Sequence, residues 1–371
     1  MKFIINKSDI RTILAKVQGV AGRKTNLAIT ETVLLEAEKD GIRITATDLE
    51  TGFEGFYAAA VESTGSIAIN AKKFFEIVRD FPKEDIHIHE VENRWIQIGN
   101  QNIEYHIVGM NPEDFPDSPK IGDVRFFEMD AFSLRGMIEK TIIISGAADD
   151  KRAHINGVYF EKCESGDQKL LRMVSTDGSR LSTADDPYEG EEPEFENGVL
   201  IPKKGLNEVL KFLEPEGSVQ VGLKDNHFIV KKESETVTIR LLEGDFPKYG
   251  DIIARGQGVE IRLDRKEFLM MLKRMSILSS DNYKGVVFNF SENRLLITAT
   301  NPDLGESKEE MPIAYEEEKI EAAFNPRFFI ESLGVISENT VVLHIINGER
   351  PCLVEGENNQ RYLSVIMPMR I

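Results

Sequence analysis

One phrase occurs three times in this 371-residue chain. It reads Ile-Arg-Ile-Thr-Ala-Thr-Asp-Leu at 42–49, Leu-Arg-Met-Val-Ser-Thr-Asp-Gly at 171–178 and Leu-Leu-Ile-Thr-Ala-Thr-Asn-Pro at 295–302. Asp48, Asp177 and Asn301 are therefore spaced like small domains. Self-similarity at that period turns the folding problem into how three related modules stack.

Other features recur in the same order. Phe3, Phe127 and Ile261 each precede a helical pattern, with Ser8, Asp130 and Asp264 as expected N-caps. Ile10, Ile13, Leu14 and Val17, like Phe268, Met271, Leu272 and Met275, follow the three- and four-residue steps of a helix stripe. A second helix is predicted after each threonine phrase, over Lys72–Phe81, Lys203–Leu213 and Pro326–Ile336. Strand-like runs with turn residues follow each of these, so each copy reads as helix, strands, helix, strands. The predicted class is α+β, three repeated domains of two helices packed on antiparallel sheet. The expected domains are 1–120, 124–252 and 257–371, with turn-rich linkers at Asp117–Asp123 and Asp251–Gly258.

Composition is that of a globular chain at 41% hydrophobic and 29% charged residues, and no run has the apolar length of a membrane span. The opening turns polar too early for a signal peptide. Cys163 and Cys352 lie in different repeats and read as reduced structural residues, which points to the cytoplasm. Net charge is −18, from 63 acidic and 45 basic residues. That balance argues against nucleic acid until the distribution is considered. The six helical segments carry cations on their polar sides: Arg11 and Lys16; Lys72, Lys73 and Arg79; Arg135 and Lys140; Lys203, Lys204 and Lys211; Lys266, Lys273 and Arg274; Arg327. A solvated face explains any one helix, and six with the same bias point to a shared positive surface.

Catalytic signatures are missing. The chain has no P-loop, dinucleotide glycine motif, His-Glu-x-x-His, Cys-x-x-Cys or Gly-x-Ser-x-Gly. His87 and His89 share a strand face but lack a third ligand at metal spacing, so no metal and no cofactor are expected. Asp48 and Asp177 recur with Asn301 at one place in the repeat, which fits turn residues bonding their own backbone better than catalytic carboxylates.

Three phrases carry a resemblance: Ser-Thr-Asp-Gly-Ser-Arg-Leu (175–181), Asp-Phe-Pro-Lys-Tyr (245–249) and Val-Ile-Met-Pro-Met-Arg-Ile (365–371). With the ordered repeats, they make the whole chain resemble the bacterial sliding-clamp family, the β subunits of DNA polymerase III. The resemblance implies three domains per half-ring and a head-to-tail homodimer. Twelve helices would line a basic hole around double-stranded DNA, without catalysis or sequence readout. Implied partners are the clamp loader, the polymerase III α subunit and other polymerases or repair proteins carrying short clamp-binding peptides.

Carried over by position, the peptide groove would use Ile155, Thr176, Gly178, Arg180, Leu181, Pro247, Ile252, Phe328, Val365, Ile366, Met367, Pro368, Met369 and Arg370. Ser179 and Asp251 depart from the family pattern there. DNA contact falls on Arg23, Lys24, Lys151 and Arg152, and on the helix cations Lys72, Lys73, Arg79, Lys203, Lys204 and Lys211; Ile277 and Leu278 fall at ring closure. Taken singly, these residues read equally as inter-domain packing, helix-end burial or surface solubility. The rival readings are an acidic three-domain enzyme with a cleft site and a repeat-built cytosolic scaffold that never encircles DNA.

Overall fold

The computed structural model describes residues 1–21, 27–100, 102–119, 121–144, 146, 150–188, 193, 195, 197–278 and 285–370, and only the backbone of Gln360. The first repeat contains β1 (Lys2–Asn6), α1 (Lys7–Ala21), β2 (Thr32–Glu38), β3 (Gly41–Thr47), β4 (Thr51–Tyr57), β5 (Ala60–Ser63), β6 (Gly65–Asn70), α2 (Ala71–Asp80), β7 (Asp85–Glu90), β8 (Trp95–Asn100) and β9 (Ile103–Val108). The second contains β10 (Phe126–Asp130), α3 (Ala131–Ile142), α4 (Ala153–Asn156), β11 (Gly157–Ser165), β12 (Gln168–Thr176), β13 (Arg180–Pro187), β14 (Val199–Pro202), α5 (Lys203–Phe212), β15 (Ser218–Lys224), β16 (His227–Lys232) and β17 (Glu235–Arg240). After the connecting helix α6 (Gly250–Ile253), the third contains β18 (Val259–Asp264), α7 (Arg265–Met275), β19 (Val286–Ser291), β20 (Arg294–Asn301), β21 (Gly305–Pro312), β22 (Ile320–Phe324), α8 (Pro326–Val335), β23 (Thr340–Ile345), β24 (Cys352–Gly356) and β25 (Asn359–Ile366).

Polar side chains set several helix starts. Asn70 accepts the Lys73 N–H (2.9 Å), Asp264 accepts that of Glu267 (2.8 Å), and Asn325 accepts that of Arg327 (3.1 Å) ahead of Pro326. The first helix corrects the sequence expectation: Ser8 lies inside α1, and Asn6 accepts its N–H (2.9 Å). Asparagine has the same short acceptor as serine, and the strand pairing of β1 ends at Asn6. The linker predicted from Asp251 carries the one-turn helix α6.

Strand pairing does not stop at the repeats. Each repeat supplies two half-sheets, and neighbouring repeats share eight-stranded sheets. One runs β10-β15-β16-β17-β4-β3-β2-β6, joining the second repeat to the first through β17 and β4. Another runs β14-β11-β12-β13-β25-β24-β23-β18, joining the second to the third through β13 and β25. Half-sheets from the two chain ends remain separate: β5-β1-β7-β8-β9 and β21-β20-β19-β22. The compact units accordingly cut through the middle repeat. One unit comprises Met1–Phe132, Gly190–Phe195 and Ile201–Leu241; the other comprises Ser133–Glu189, Glu196–Leu200 and Leu242–Ile371.

The threonine phrase runs into a hairpin turn each time, one residue longer in the third copy. Asp48 accepts the N–H groups of Glu50 and Thr51 (3.0 and 2.7 Å), and Asp177 accepts those of Ser179 and Arg180 (2.9 and 3.1 Å). Asn301 accepts the Asp303 N–H (3.0 Å). The recurring side chains thus hold a hairpin closed, as their repetition indicated.

In the second unit, Phe268, Phe288, Phe324 and Phe329 form a buried aromatic cluster between α7, α8 and the end sheet. Phe288 lies 5.3 Å from both Phe324 and Phe329, edge-on to the first. Replacing Phe288 with Ala is expected to cost about 3–5 kcal/mol of unfolding free energy, measured as a lower urea midpoint.

Candidate peptide groove and basic faces

The second unit brings together the Thr176–Leu181 turn, β25 and the chain segment after it. Thr176 donates its hydroxyl to the Arg180 carbonyl (2.8 Å) and accepts the Gly178 N–H (3.1 Å). Gly178 takes φ +89°, a backbone state that favours glycine. Arg180 pairs with Ile366 in the sheet, and its guanidinium turns inward at 4% exposure. It donates to Asp177 (3.0 Å) and to Glu331 of α8 (2.5 Å), and it lies 4.4 Å from the Phe328 ring centre. Arg180 is thus a strut between the turn and α8, and two carboxylates and a ring face offset its desolvation.

Beside this strut is a small apolar cluster of Val174, Leu181, Leu353 and Val365. Tyr159, Phe246, Tyr249, Ile253 and Leu363 pack against it. Phe246 stacks on Tyr159 at 4.9 Å between centres and meets Tyr249 edge-on at 5.9 Å. The Tyr249 hydroxyl donates to Glu161, and burial together with that carboxylate pushes the phenol pKa up. Ile252, Met367 and Met369 leave substantial apolar surface exposed. The Met367 N–H binds the Ser179 carbonyl (2.9 Å), and that of Met369 binds Ala323 (2.7 Å), so the tail is anchored while its side chains are free to adapt.

Of the predicted groove residues, Leu181 and Val365 belong to the cluster, and Thr176, Gly178 and Arg180 shape the turn beside it. Pro247, Ile252, Met367, Met369 and Arg370 are exposed, Phe328 and Pro368 are half-buried, and Ile155 and Ile366 are buried. The sequence reading missed Val174, Leu353, Leu363, Tyr159, Phe246, Tyr249 and Ile253. Phe246 and Tyr249 lie in the quoted 245–249 phrase, whereas β24 is buried at every position and β12 at nearly every position from Leu170 on, so no periodicity singles out Val174 or Leu353.

The equivalent junction in the first unit differs in chemistry. Hairpin pairing makes Thr51, Arg180 and Gly305 equivalent, and the β17–β4 and β13–β25 registers make Ile239 equivalent to Ile366. The counterparts of Val174, Leu181, Leu363 and Val365 are then Thr45, Gly52, Thr236 and Thr238. Instead of an apolar platform there is a cavity of about 530 Å³ whose lining includes Thr47, Lys224, His227, Thr238 and Arg240. Burial and the nearby Arg240 push the His227 pKa down.

Many predicted DNA-facing cations already have carboxylate partners. Lys73 pairs with Glu76 (2.7 Å), Arg79 with Asp80 (3.0 Å) and Lys211 with Glu208 (2.8 Å). Lys204 binds Asp48 (2.7 Å) and Glu50 (3.1 Å); burial opposes its charge, but those carboxylates outweigh burial and push its pKa up. Arg152 binds Asp150 (2.7 Å), and its side-chain and backbone bonds hold that carboxyl down at about 2. Lys72 and Lys151 are exposed and carry no ion pair among the described residues. Lys203 is a further cation of α5, whereas Arg23 and Lys24 lie outside the described residues. The Lys73–Glu76 and Arg79–Asp80 pairs are exposed and therefore weak, so phosphate can compete for Lys73 and Arg79.

Ile277 is 73% exposed beyond the end of α7, and the Leu278 carbonyl accepts the Asn301 amide (2.8 Å). Among the described residues no three His, Cys, Asp or Glu side chains cluster as metal ligands. No helix among the described residues is long and apolar enough to cross a membrane.

The family models for the N-terminal, central and C-terminal domains of the DNA polymerase III beta subunit match residues 1–119, 128–248 and 251–370. The beta sliding clamp of Vibrio cholerae is 29% identical over 378 residues, covering 100% of both chains. The crystal structure of the DNA polymerase III subunit beta from Pseudomonas aeruginosa is 28% identical, with a TM-score of 0.92 over 100% of both chains. A sliding clamp from Bartonella birtlesii bound to griselimycin has the same identity, TM-score and coverage. By these matches across all three repeats, the chain belongs to the DNA polymerase III beta subunit family, the bacterial sliding clamps.

Proposed function

We propose that this chain is a cytoplasmic DNA sliding clamp, with repeats 1–120, 124–252 and 257–371 as its clamp domains and two copies closing head to tail around duplex DNA. The full-length match to the clamp family carries this reading. Weak, sequence-independent contacts from helix cations would hold DNA in register with the hole without fixing its position. The polymerase, the clamp loader and repair factors would dock short peptides on the apolar cluster of the second unit. Its buried leucine and valine base, aromatic flank and adaptable methionines suit linear apolar motifs.

Repeat equivalence supports Ile277 and Leu278 as closure residues. Their counterparts in α1 are Gly19 and Val20, and Gly19 lies so close to Glu208 of α5 that a Cβ would fall 1.8 Å from its carboxylate oxygen. The counterpart of Glu208 in α2 is Glu76, so α7 of one copy would meet α2 of the next.

Three outcomes test the reading. Loaded by a bacterial clamp loader with ATP, the chain should stay on nicked circular DNA until the circle is cut; retention on open linear DNA would refute encirclement. The paired change Ile277→Asp with Leu278→Asp should yield monomers in gel filtration, and an unchanged dimer would remove these residues from the interface. Leu181→Asp should weaken a fluorescent clamp-binding peptide by more than tenfold in anisotropy while leaving DNA retention intact. Equal binding by both proteins would place the groove elsewhere.

A further inference from the structure

Three basic side chains stand abreast in the polar cavity of the first junction. Strand pairing sets Lys224 of β15 opposite His227 of β16, and His227 opposite Arg240 of β17. All three line the cavity of about 530 Å³. Like charges placed directly opposite one another on a sheet cost stability. His227 relieves part of that cost, since burial and the nearby Arg240 push its pKa down and leave the ring largely uncharged at pH 7. The cations of the row are then Lys224 and Arg240.

The chain itself does little to satisfy them. Lys224 reaches Asp123 only at 3.5 Å, and that carboxylate is 94% exposed. Arg240 is tied at its backbone, where its N–H binds the Glu50 carbonyl (2.7 Å), but its guanidinium carries no ion pair among the described residues. Acids also line the cavity: Glu50 is held by Lys204 (3.1 Å), and Asp117 and Asp225 are exposed. At His227 the effect of Arg240 outweighs that of Asp225, so the field in the middle of the row is positive. In a chain of net charge −18 this is a local reversal of sign.

We infer that this cavity is a second docking site, which takes an acidic peptide segment with its carboxylates on Lys224 and Arg240. The volume is in the range of sites that hold whole ligands, about 300–1,000 Å³. The two cations are rooted two strand spacings apart, about 10 Å, and successive acids of an extended segment cover that span within about three residues. Ser118 and Thr238 add hydroxyls to the lining. Gly52 leaves Thr238 its place, because a Cβ there would fall 2.6 Å from the Thr238 Oγ1. The β17–β4 and β13–β25 registers put Val365 and Met367 where this junction has Thr238 and Arg240, so a segment suited to one junction is unsuited to the other. The choice of a peptide rests on the docking reading above, whereas the basic row stands without it.

Fluorescence anisotropy of the full chain with a labelled hexaglutamate peptide tests this. The wild-type chain should bind it at least about tenfold more tightly than a hexaglutamine peptide. Lys224→Gln and Arg240→Gln should each raise the dissociation constant about fivefold, and together more than about tenfold, with circular dichroism unchanged. Arg240→Lys, which keeps the charge, should stay within about threefold of wild type. The paired change Lys72→Gln with Lys73→Gln should have no effect. A chain that binds an apolar clamp-binding peptide but not hexaglutamate would overturn this inference alone. One that binds hexaglutamate through Lys224 and Arg240 but not the apolar peptide would overturn only the groove at the second junction. Hexaglutamate binding lost with Lys72 and Lys73 instead would overturn the site. So would a labelled DNA duplex weakened by Lys224→Gln with Arg240→Gln as much as the peptide is, since the row would then serve phosphate.

Discussion

Backbone hydrogen bonding at strand edges is the constraint on which the rest of the structure depends. A strand that ends a sheet leaves a row of N–H and C=O groups to water or to another strand. In this chain each repeat makes two half-sheets, and the edges β4 and β13 are satisfied by β17 and β25. Those pairings make the middle repeat part of two compact units. They also determine which residues stand side by side at every junction, and the functional surfaces follow from that adjacency.

The same geometry carries different chemistry at each position. Outward pairs at the second junction are Leu181 with Val365 and Thr183 with Leu363, which together with Val174 and Leu353 make an apolar platform. At the first they are Gly52 with Thr238 and Glu54 with Thr236, and a polar cavity lies there instead. The free edges carry Glu104 and His106 on β9, and Glu306 and Lys308 on β21. The apolar residues of the second junction pack into a buried cluster flanked by aromatic rings. Charged, exposed residues keep a strand edge soluble and discourage indiscriminate pairing.

Much of the fold was legible in the sequence because periodicity reports local structure. The apolar steps in α1 and α7 fall on the buried faces, and Asp48, Asp177 and Asn301 close hairpins as their recurrence indicated. The cap of α1 was misassigned to Ser8 because Asn6 offers the same acceptor two residues earlier. Of the apolar cluster, Leu181 and Val365 were named through family phrases. Leu353 and Val174 were missed because each looks like any core residue of a strand. The pairing of basic helix residues was likewise invisible where partners lie far apart in sequence, as in Lys204 with Asp48 and Lys16 with Glu235.

The sequence by itself determined three copies of one module, their helices and hairpins, and the turn chemistry at Thr47–Thr51 and Thr176–Arg180, since all of these depend on neighbours a few residues apart. Only the tertiary structure decided that strands pair across the repeats and that Arg180 braces a turn against α8. It also decided that Val174, Leu181, Leu353 and Val365 form one buried cluster. Those results depend on register between distant strands. Register is set by backbone hydrogen bonds and side-chain packing together, and neither leaves a periodic trace along the chain.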